Sequence, residues 1–404
     1  MTMTASTAQR QDSPMIQKRL TVRSNTPAFL GNAEQNGQWR TPPFKHLLRE
    51  WWRVAWAEAH GFDVESDEML RELRRTEGRL FGVAADEGDT RKSQVRIRLG
   101  RWDQGKMNEW LNQDPAVFHR EVKEGRNIGA HLYLGFGPLN YNRGTYLGKK
   151  INGRFKPNAA IQAGEKNDLK LAYPSTEQVL LDRALALVSA FGAIGGRARN
   201  GWGSLELHPS PSGRGAGGEG LPLRDWQECL AHEWAHAIGQ DEEGPLIWRT
   251  KEDFDDWSGL MKTLAEIKIG LRTQFGFGLN ASAGDRQLYK FNKKKNKKEK
   301  SGIEHGAPQQ RHWLSYPVTN HSVSSWDRVV KTAEAKRVGL GNRIPNTLRF
   351  KVRRADNGKL YGVIFHMPCK PPRQFSPDGR VLQEVWQRAH RLLTERTDLQ
   401  RVDL

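Results

Sequence analysis

The chain has 404 residues, of which 37% are hydrophobic and 27% are charged. This length is sufficient for two domains of ordinary size. Lysine and arginine together number 64 and aspartate and glutamate number 46, so the formal net charge is +18. A chain this basic attracts polyanions, and nucleic acid is the partner that such a composition favours.

Several other classes of protein are disfavoured by the composition. The two cysteines, Cys229 and Cys369, lie far apart and outside any CxxC pair, which argues against zinc-finger and redox motifs. Residues 1–14 are polar and lack the apolar core of a secretory signal. No stretch approaches about 18 uncharged apolar residues, the minimum for a membrane span. We therefore expect a disordered segment at residues 1–14 and a cytoplasmic protein without a membrane partner.

The first half of the chain has alternating strand and helix patterns. Hydrophobic periodicity predicts, in order, a strand at 16–23, helices at 44–60 and 65–80, strands at 94–99 and 130–136, a helix at 175–192 and a strand at 204–207. This order is typical of a ferredoxin-like, or RRM-like, sandwich. The sequence therefore predicts such a domain over residues 15–208.

A second domain follows a segment rich in glycine and serine. Residues 209–220 have the composition of a flexible linker. Beyond it the patterns predict helices at 223–238 and 252–275, a solvated lysine-rich loop at 290–300, strands at 347–353 and 360–367 around an Asn357-Gly358 type I′ turn, and a helix at 384–393. We expect a second ferredoxin-like domain over residues 221–404, and hence an α+β fold class.

The predicted helix at 44–60 has two different faces. Its core face carries Phe44, Leu47, Leu48, Trp51, Val54 and Ala55, and its other side carries Lys45, Arg49, Arg53, Trp52 and Trp56. Guanidinium and ammonium groups pair with phosphates, and an exposed indole can stack on an unpaired base. The pattern therefore predicts an RNA-binding face that includes Arg40, just before the helix. Packing of Trp52 and Trp56 against another domain is the alternative.

A glycine-rich basic segment joins the helix at 175–192 to the strand after it. Residues 195–203 contain four glycines, together with Arg197, Arg199 and Trp202. Glycine permits positive φ and close approach to a ligand, and arginine grips phosphates bidentately. The segment matches neither a P-loop nor a dinucleotide-binding motif. We expect it to bind RNA, with Trp202 stacking on a base; a tight turn with incidental charge is the alternative.

Taken together, these segments resemble the RAMP superfamily of CRISPR effector proteins. The resemblance is carried by residues 26–31, 40–53, 80–82 and 195–204, and the segments LRFKV and GVIFHMP near the C-terminus point more narrowly to the large two-domain RAMP subunit of type III-B complexes. It implies two ferredoxin-like domains packed across a basic cleft. It also implies a non-catalytic subunit whose partners are CRISPR RNA, target RNA and the other subunits, with no cofactor. His46 occupies a position that resembles the histidine of RAMP endoribonucleases, so processing of CRISPR transcripts is an alternative.

A second alternative comes from an HExxH motif. His232, Glu233 and His236 have the spacing that, on a helix, places two imidazoles on one face to bind zinc, with the glutamate as general base. A zinc metallopeptidase would leave the positive charge and both arginine segments unexplained. We therefore predict no metal site and assign RNA binding to Arg40, Lys45, Arg49, Trp52, Arg53, Arg197, Arg199 and Trp202.

Overall fold

The structure is a computed structural model that describes residues 13–34, 36–64, 66–83, 90–111, 113–122, 126–151, 154–209, 220–277, 285–292, 297–326 and 343–402. The predicted disordered segment at 1–14 and the predicted linker at 209–220 lie almost entirely outside these ranges. The helices are α1 Thr41–Ala59, α2 Asp67–Phe81, α3 Ala130–Gly135, α4 Gln178–Phe191, α5 Trp226–Cys229, α6 Trp257–Gln274, α7 Gln310–Leu314 and α8 Gly379–Thr394.

The strands are short and distributed over several sheets. They are β1 Met15–Ser24, β2 Arg96–Leu99, β3 Ala116–Phe118, β4 Asn127–Gly129, β5 Leu139–Tyr141, β6 Thr145–Ile151, β7 Arg154–Pro157, β8 Lys166–Pro174, β9 Leu205–His208, β10 Leu223–Asp225, β11 Ile238–Asp241, β12 Gly244–Pro245, β13 Ile247–Thr250, β14 Arg286–Asn292, β15 Lys297–His305, β16 His321–Val323, β17 Leu348–Arg354, β18 Leu360–His366 and β19 Leu399–Arg401.

The first half is built on a four-stranded antiparallel sheet. Its spatial order is β2, β8, β1, β9. The central strand β1 buries Leu20 and Val22, as the period-two pattern predicts. Helices α1 and α4 pack against each other beside this sheet. With α2 and the inserted segment from β3 to β7 set aside, the chain order is strand, helix, strand, strand, helix, strand.

The second half repeats this arrangement. Its main sheet has the order β17, β18, β13, β19, again with antiparallel neighbours. Along the chain the elements are β13, α6, β17, β18, α8 and β19. Each sheet therefore places its four strands in the same relative order. The α+β class with several antiparallel sheets is confirmed.

The two halves are joined by a buried lysine. Lys351 of β17 is fully buried, and its Nζ donates to the backbone oxygens of Ser189 at 2.7 Å, Gly192 at 2.8 Å and Leu205 at 2.9 Å. Burial lowers the pKa of Lys351 well below its ordinary value. Its Nζ lies at the C-terminal end of α4, where it donates to backbone oxygens that the helix leaves without a partner. The junction is therefore a shared, packed interior.

Aromatic residues extend this shared interior. Phe365 of β18 lies 5.0 Å from Phe191 of α4 and 6.4 Å from Trp51 of α1, measured between ring centroids. These distances are within the range of favourable aromatic pairs. The helices of the first half therefore pack directly on a strand of the second half.

Some local predictions are wrong. The strand predicted at 130–136 is instead helix α3 over Ala130–Gly135, and only Trp226–Cys229 is helical within 223–238. The lysine-rich segment lies largely in the antiparallel pair β14 and β15 instead of a loop. The β17–β18 hairpin is confirmed, but Gly358 alone has positive φ (83°), so the turn is not type I′. None of the helices within the described ranges has the length and apolar character needed to cross a membrane.

Candidate nucleic-acid interface

The glycine-rich segment at 195–203 folds as a loop tied to the first half. The Gly196 N–H donates to the backbone oxygen of Phe29 at 2.9 Å. Gly195 and Gly203 have φ values of +89° and +67°, so the predicted positive φ is confirmed. A Cβ on Gly203 would lie 1.9 Å from the Ile194 oxygen, which no side chain tolerates. Glycine is therefore required there by contact with the chain's own backbone, not by approach of a ligand.

The two arginines of this loop are exposed. Arg197 has a φ of +62°, unusual for a residue with a side chain, and Arg199 follows two positions later. Partial desolvation and then the Arg343 guanidinium lower the pKa of Arg197. Partial desolvation and then Arg349 lower the pKa of Arg199. Guanidinium groups crowd one another at this loop, and an anion bound there would relieve their repulsion.

Backbone and buried polar contacts hold the loop in place. The Phe350 N–H of β17 donates to the Arg199 oxygen at 3.1 Å. The side chain of Asn200 donates to the Leu134 oxygen at 2.7 Å and accepts a hydrogen bond from Nζ of the buried Lys268. Because the loop is fixed before any ligand arrives, little ordering entropy would be lost on binding.

Helix α1 meets this loop at one acidic residue. Glu50 Oε1 lies 2.7 Å from Nη2 of Arg349. Burial would raise the pKa of Glu50, but Arg349, and then Arg199 and the exposed His46, lower it overall. The two predicted RNA-binding segments therefore come together. They do so through the face of α1 that carries His46 and Glu50, not through the predicted basic face.

The predicted basic face of α1 is partly neutralised by α2. Glu77 is buried, with 4% of its surface exposed, and its carboxylate accepts hydrogen bonds from Arg49 at 2.5 Å and from Arg53 at 2.5 and 2.9 Å. Burial would raise the pKa of Glu77, but its bonds to the two arginines lower it overall. Arg49 and Arg53 thus have an internal anion as their partner.

The predicted exposure of the α1 tryptophans is wrong. Trp52 is 0% exposed and Trp56 is 2% exposed, and Trp56 stacks on His60 at 3.9 Å between centroids. Trp52 meets Phe81 of α2 edge to face at 5.7 Å between centroids. A side chain without exposed surface cannot stack on a base in this conformation. The alternative, that these indoles are packing residues, describes them better, although their cover belongs to the same half of the chain.

Trp202 is likewise buried, beneath the loop. It is 0% exposed and lies 5.4 Å from Phe29, 5.4 Å from Trp110 and 5.8 Å from Trp257 of α6, measured between ring centroids. These rings form an aromatic cluster at the junction of the two halves. Trp202 therefore packs beneath the loop. Because it is buried, it cannot stack on RNA in this conformation, and stacking would require another residue.

The remaining predicted cations lie at the start of α1. Arg40 is partly exposed, and its Nη1 donates to the Gly31 oxygen at 2.7 Å. Lys45 is also partly exposed; desolvation and then the neighbouring Arg49 lower its pKa. RNA contact by Arg40 and Lys45 stays a prediction.

The HExxH residues do not have zinc-peptidase geometry. Helix α5 ends at Cys229, so His232 and His236 lie in irregular backbone beyond it and not on one helical face. Nε2 of the buried His236 is 3.3 Å from Nη1 of Arg224, and the Glu233 carboxylate accepts a hydrogen bond from the Arg373 N–H. Burial lowers the pKa of His236 to about 4. Within the described ranges, no three His, Cys, Asp or Glu side chains are arranged to hold a metal ion.

Sequence reasoning missed three charged residues of this interface. Glu50 lies on the predicted helix, Arg349 on the predicted strand at 347–353 and Arg343 just before it. Local periodicity assigned Glu50 and Arg349 to elements but did not show that they meet. That information is tertiary, since about 300 residues separate Glu50 from Arg349 in the sequence.

The comparison with family models agrees with the resemblance noted in the sequence. The model of the RAMP superfamily matches residues 24–206. The crystal structure of apo Cmr1 from Pyrococcus furiosus is similar at 14% identity with a TM-score of 0.39, covering 92% of this chain and 97% of that one. A cryo-EM structure of Type III-B Cmr-beta bound to cognate target RNA is similar at 11% identity and 0.39, covering 94% and 100%. No curated protein matches the sequence.

The family match begins at Ser24, the end of β1, and ends at Glu206 in β9. It therefore includes α1, Glu77 of α2 and the whole glycine-rich loop. The first half of the chain is therefore similar to the RAMP superfamily.

Proposed function

We propose that this chain is a non-catalytic RNA-binding subunit of a type III-B CRISPR ribonucleoprotein, contacting CRISPR RNA and target RNA in the cytoplasm. The observation that carries the proposal is the rigid loop with exposed Arg197 and Arg199 beside Arg343 and Arg349. Guanidinium groups in fixed positions suit phosphate oxygens, and the net charge of +18 favours the same partner.

We also infer the domain architecture from the two main sheets. Both have the strand order and antiparallel pairing of a ferredoxin-like, or RRM-like, domain. Residues 15–208 and 221–404 would be the two domains, and the basic cleft between them would run along the loop at 195–203. Residues Arg197 and Arg199 come from one domain and Arg343 and Arg349 from the other, which supports this placement.

A non-catalytic role is supported by the state of the candidate catalytic groups. The HExxH histidines lie in irregular backbone beyond the end of α5. His46 is exposed beside Glu50, and its electrostatic partner is a carboxylate that Arg349 already neutralises. We expect labelled CRISPR repeat RNA to remain intact with the purified chain, and cleavage that depends on His46 would favour the endoribonuclease alternative.

The first experiment measures single-stranded RNA affinity of the full chain by fluorescence anisotropy across a salt series. Changing Arg197 and Arg199 together to Ala should weaken binding about 100-fold at low salt, roughly tenfold for each lost phosphate contact. The slope of log K against log salt should fall by about 1.4, or about 0.7 per contact with a single strand.

The matched control removes the same charge from an exposed surface elsewhere. Arg71 and Arg74 lie exposed on α2, and their double change to Ala should leave affinity within about twofold. Equal losses for the two double variants would mean that net charge alone binds RNA, and the proposal would be abandoned. Co-purification of the wild-type chain with a guide RNA and companion subunits would test the assembly.

A further inference from the structure

An exposed phenylalanine lies beside the arginine loop. Phe136 follows the last residue of α3 and has 60% of its surface exposed. An exposed aromatic ring beside fixed cations has the combination of groups with which proteins hold single-stranded nucleic acid. The predicted stacking residues Trp52 and Trp202 are buried, so neither presents an aromatic surface to RNA.

Phe136 belongs to a turn that packs directly on the loop. A Cβ on Gly137 would lie 3.4 Å from Nη2 of Arg197, so the guanidinium rests against this backbone. On the other side, a Cβ on Gly196 would lie 3.3 Å from Cγ of Pro138. The turn and the loop are therefore neighbours, and Phe136 is one residue from the backbone that Arg197 contacts.

The turn is held in a single conformation. The Gly137 N–H donates to the Leu139 oxygen at 3.0 Å, and the Asn140 side chain donates to the Gly137 oxygen at 2.9 Å. At the end of α3, Gly135 abuts Leu139 and the indole of Trp202, where a Cβ would lie 2.7 and 3.2 Å from their nearest atoms. The buried Trp202 therefore packs beneath the turn that carries Phe136.

The charge of the surrounding chain favours nucleic acid over an acidic or apolar peptide. Residues 125–164 contain no aspartate or glutamate, and they include Arg126, Arg143, Lys149, Lys150, Arg154 and Lys156. A flat apolar ring in a basic stretch of the chain, next to Arg197, matches the two parts of a single-stranded nucleotide, the base and the phosphate.

We propose that Phe136 is a base-stacking residue, holding an unpaired RNA base while Arg197 binds the adjacent phosphate. This inference rests on the proposed function, because it needs RNA at the loop. It reassigns to Phe136 the stacking that the sequence had suggested for Trp52 and Trp202. Stacking on phenylalanine has little dependence on base identity, so the contact would tolerate any sequence.

The experiment compares Phe136→Ala and Phe136→Tyr in the full chain, using single-stranded RNA that carries 2-aminopurine at successive positions. Phe136→Ala should weaken binding about 5- to 150-fold, since stacking contributes roughly 1–3 kcal/mol per base. The salt slope should not change, because no charge is removed. One 2-aminopurine position should be quenched by wild type and Phe136→Tyr but not by Phe136→Ala.

Phe118 provides the control for loss of exposed apolar surface. It is 61% exposed on β3, and Phe118→Ala should keep wild-type affinity and quenching. Wild-type affinity and quenching in Phe136→Ala, with binding lost in the Arg197 and Arg199 double variant, would overturn the stacking inference and leave the proposed function intact. Loss of binding in neither variant would overturn the proposed function itself.

Discussion

Two arginine pairs with the same charge have different environments. Arg49 and Arg53 on α1 converge on the buried carboxylate of Glu77. Arg197 and Arg199 on the loop have other guanidinium groups, Arg343 and Arg349, among their nearest charges. The first pair stabilises the fold by holding two helices together, and the second pair retains a positive potential for a ligand. Density of basic residues in a sequence therefore does not show which charges are available to RNA.

The largest expected effect comes from removing the carboxylate that neutralises Arg49 and Arg53. Glu77→Ala removes the shared anion and leaves Arg49 and Arg53 facing each other, so the free energy of unfolding should fall by about 2 kcal/mol. This value is below the usual cost for a fully buried pair because both arginines are about 40% exposed. Urea denaturation followed by circular dichroism measures it.

Glu72 is the control on the same helix. It pairs with Arg75 at 3.0 Å on the surface, so Glu72→Ala should cost less than about 1 kcal/mol. If Glu77→Ala were no more costly than Glu72→Ala, the α1 arginines would not be structural, and the contrast between the two pairs would disappear.

A smaller effect concerns the pH dependence of stability. The folded pKa of Glu77 lies below its ordinary value of 4.5, because its bonds to Arg49 and Arg53 outweigh burial, which acts in the opposite direction. Its contribution is thus fully present above pH 4.5 and is lost as pH falls through the folded pKa. Wild type should therefore lose about 1 kcal/mol more than Glu77→Gln between pH 5 and pH 3. Parallel urea titrations at these pH values would reveal the difference, and identical losses would argue against it.

The contrast also shows how far the sequence could predict the molecule. Period-two and period-3.6 patterns located β1, α1, α2, α4, α6 and the β17–β18 hairpin, because each buries one face. They failed at residues 130–136, where a short apolar run fits a strand or a helix equally well. They also placed Trp52 on a solvent face, since a single helix projection does not include α2, the second helix that covers it.

The site was predictable only in part. The glycine content and positive φ of residues 195–203 follow from the sequence, as does the exposure of Arg197 and Arg199. Two contacts between residues distant in sequence could not be predicted. Glu77 neutralises Arg49 across 28 residues, and Lys351 of the second half reaches Leu205 of the first half across 146 residues. In the period-two pattern Lys351 occupies an outward-facing position, as a surface lysine would. In the fold, backbone carbonyls surround it.

The smallest expected effect concerns the loop arginines. It comes from removing Glu50, a carboxylate that interacts with Arg199. Glu50 neutralises Arg349 and attracts Arg199. Glu50→Gln keeps the shape of the side chain and adds one positive charge to the interface. Affinity for single-stranded RNA should rise about threefold at low salt, and the gain should shrink as salt screens it.

Glu58 gives the same change of charge on the same helix, two turns away. It pairs with Arg183 at 2.7 Å instead of with the loop's neighbours. Glu58→Gln should therefore change RNA affinity less than Glu50→Gln in the same salt series. Equal gains would mean that RNA senses only the total charge of the chain, and weaker binding in Glu50→Gln would mean that Glu50 positions Arg349 for phosphate. Only a gain specific to Glu50 agrees with a loop whose positive potential is limited by one neighbouring carboxylate.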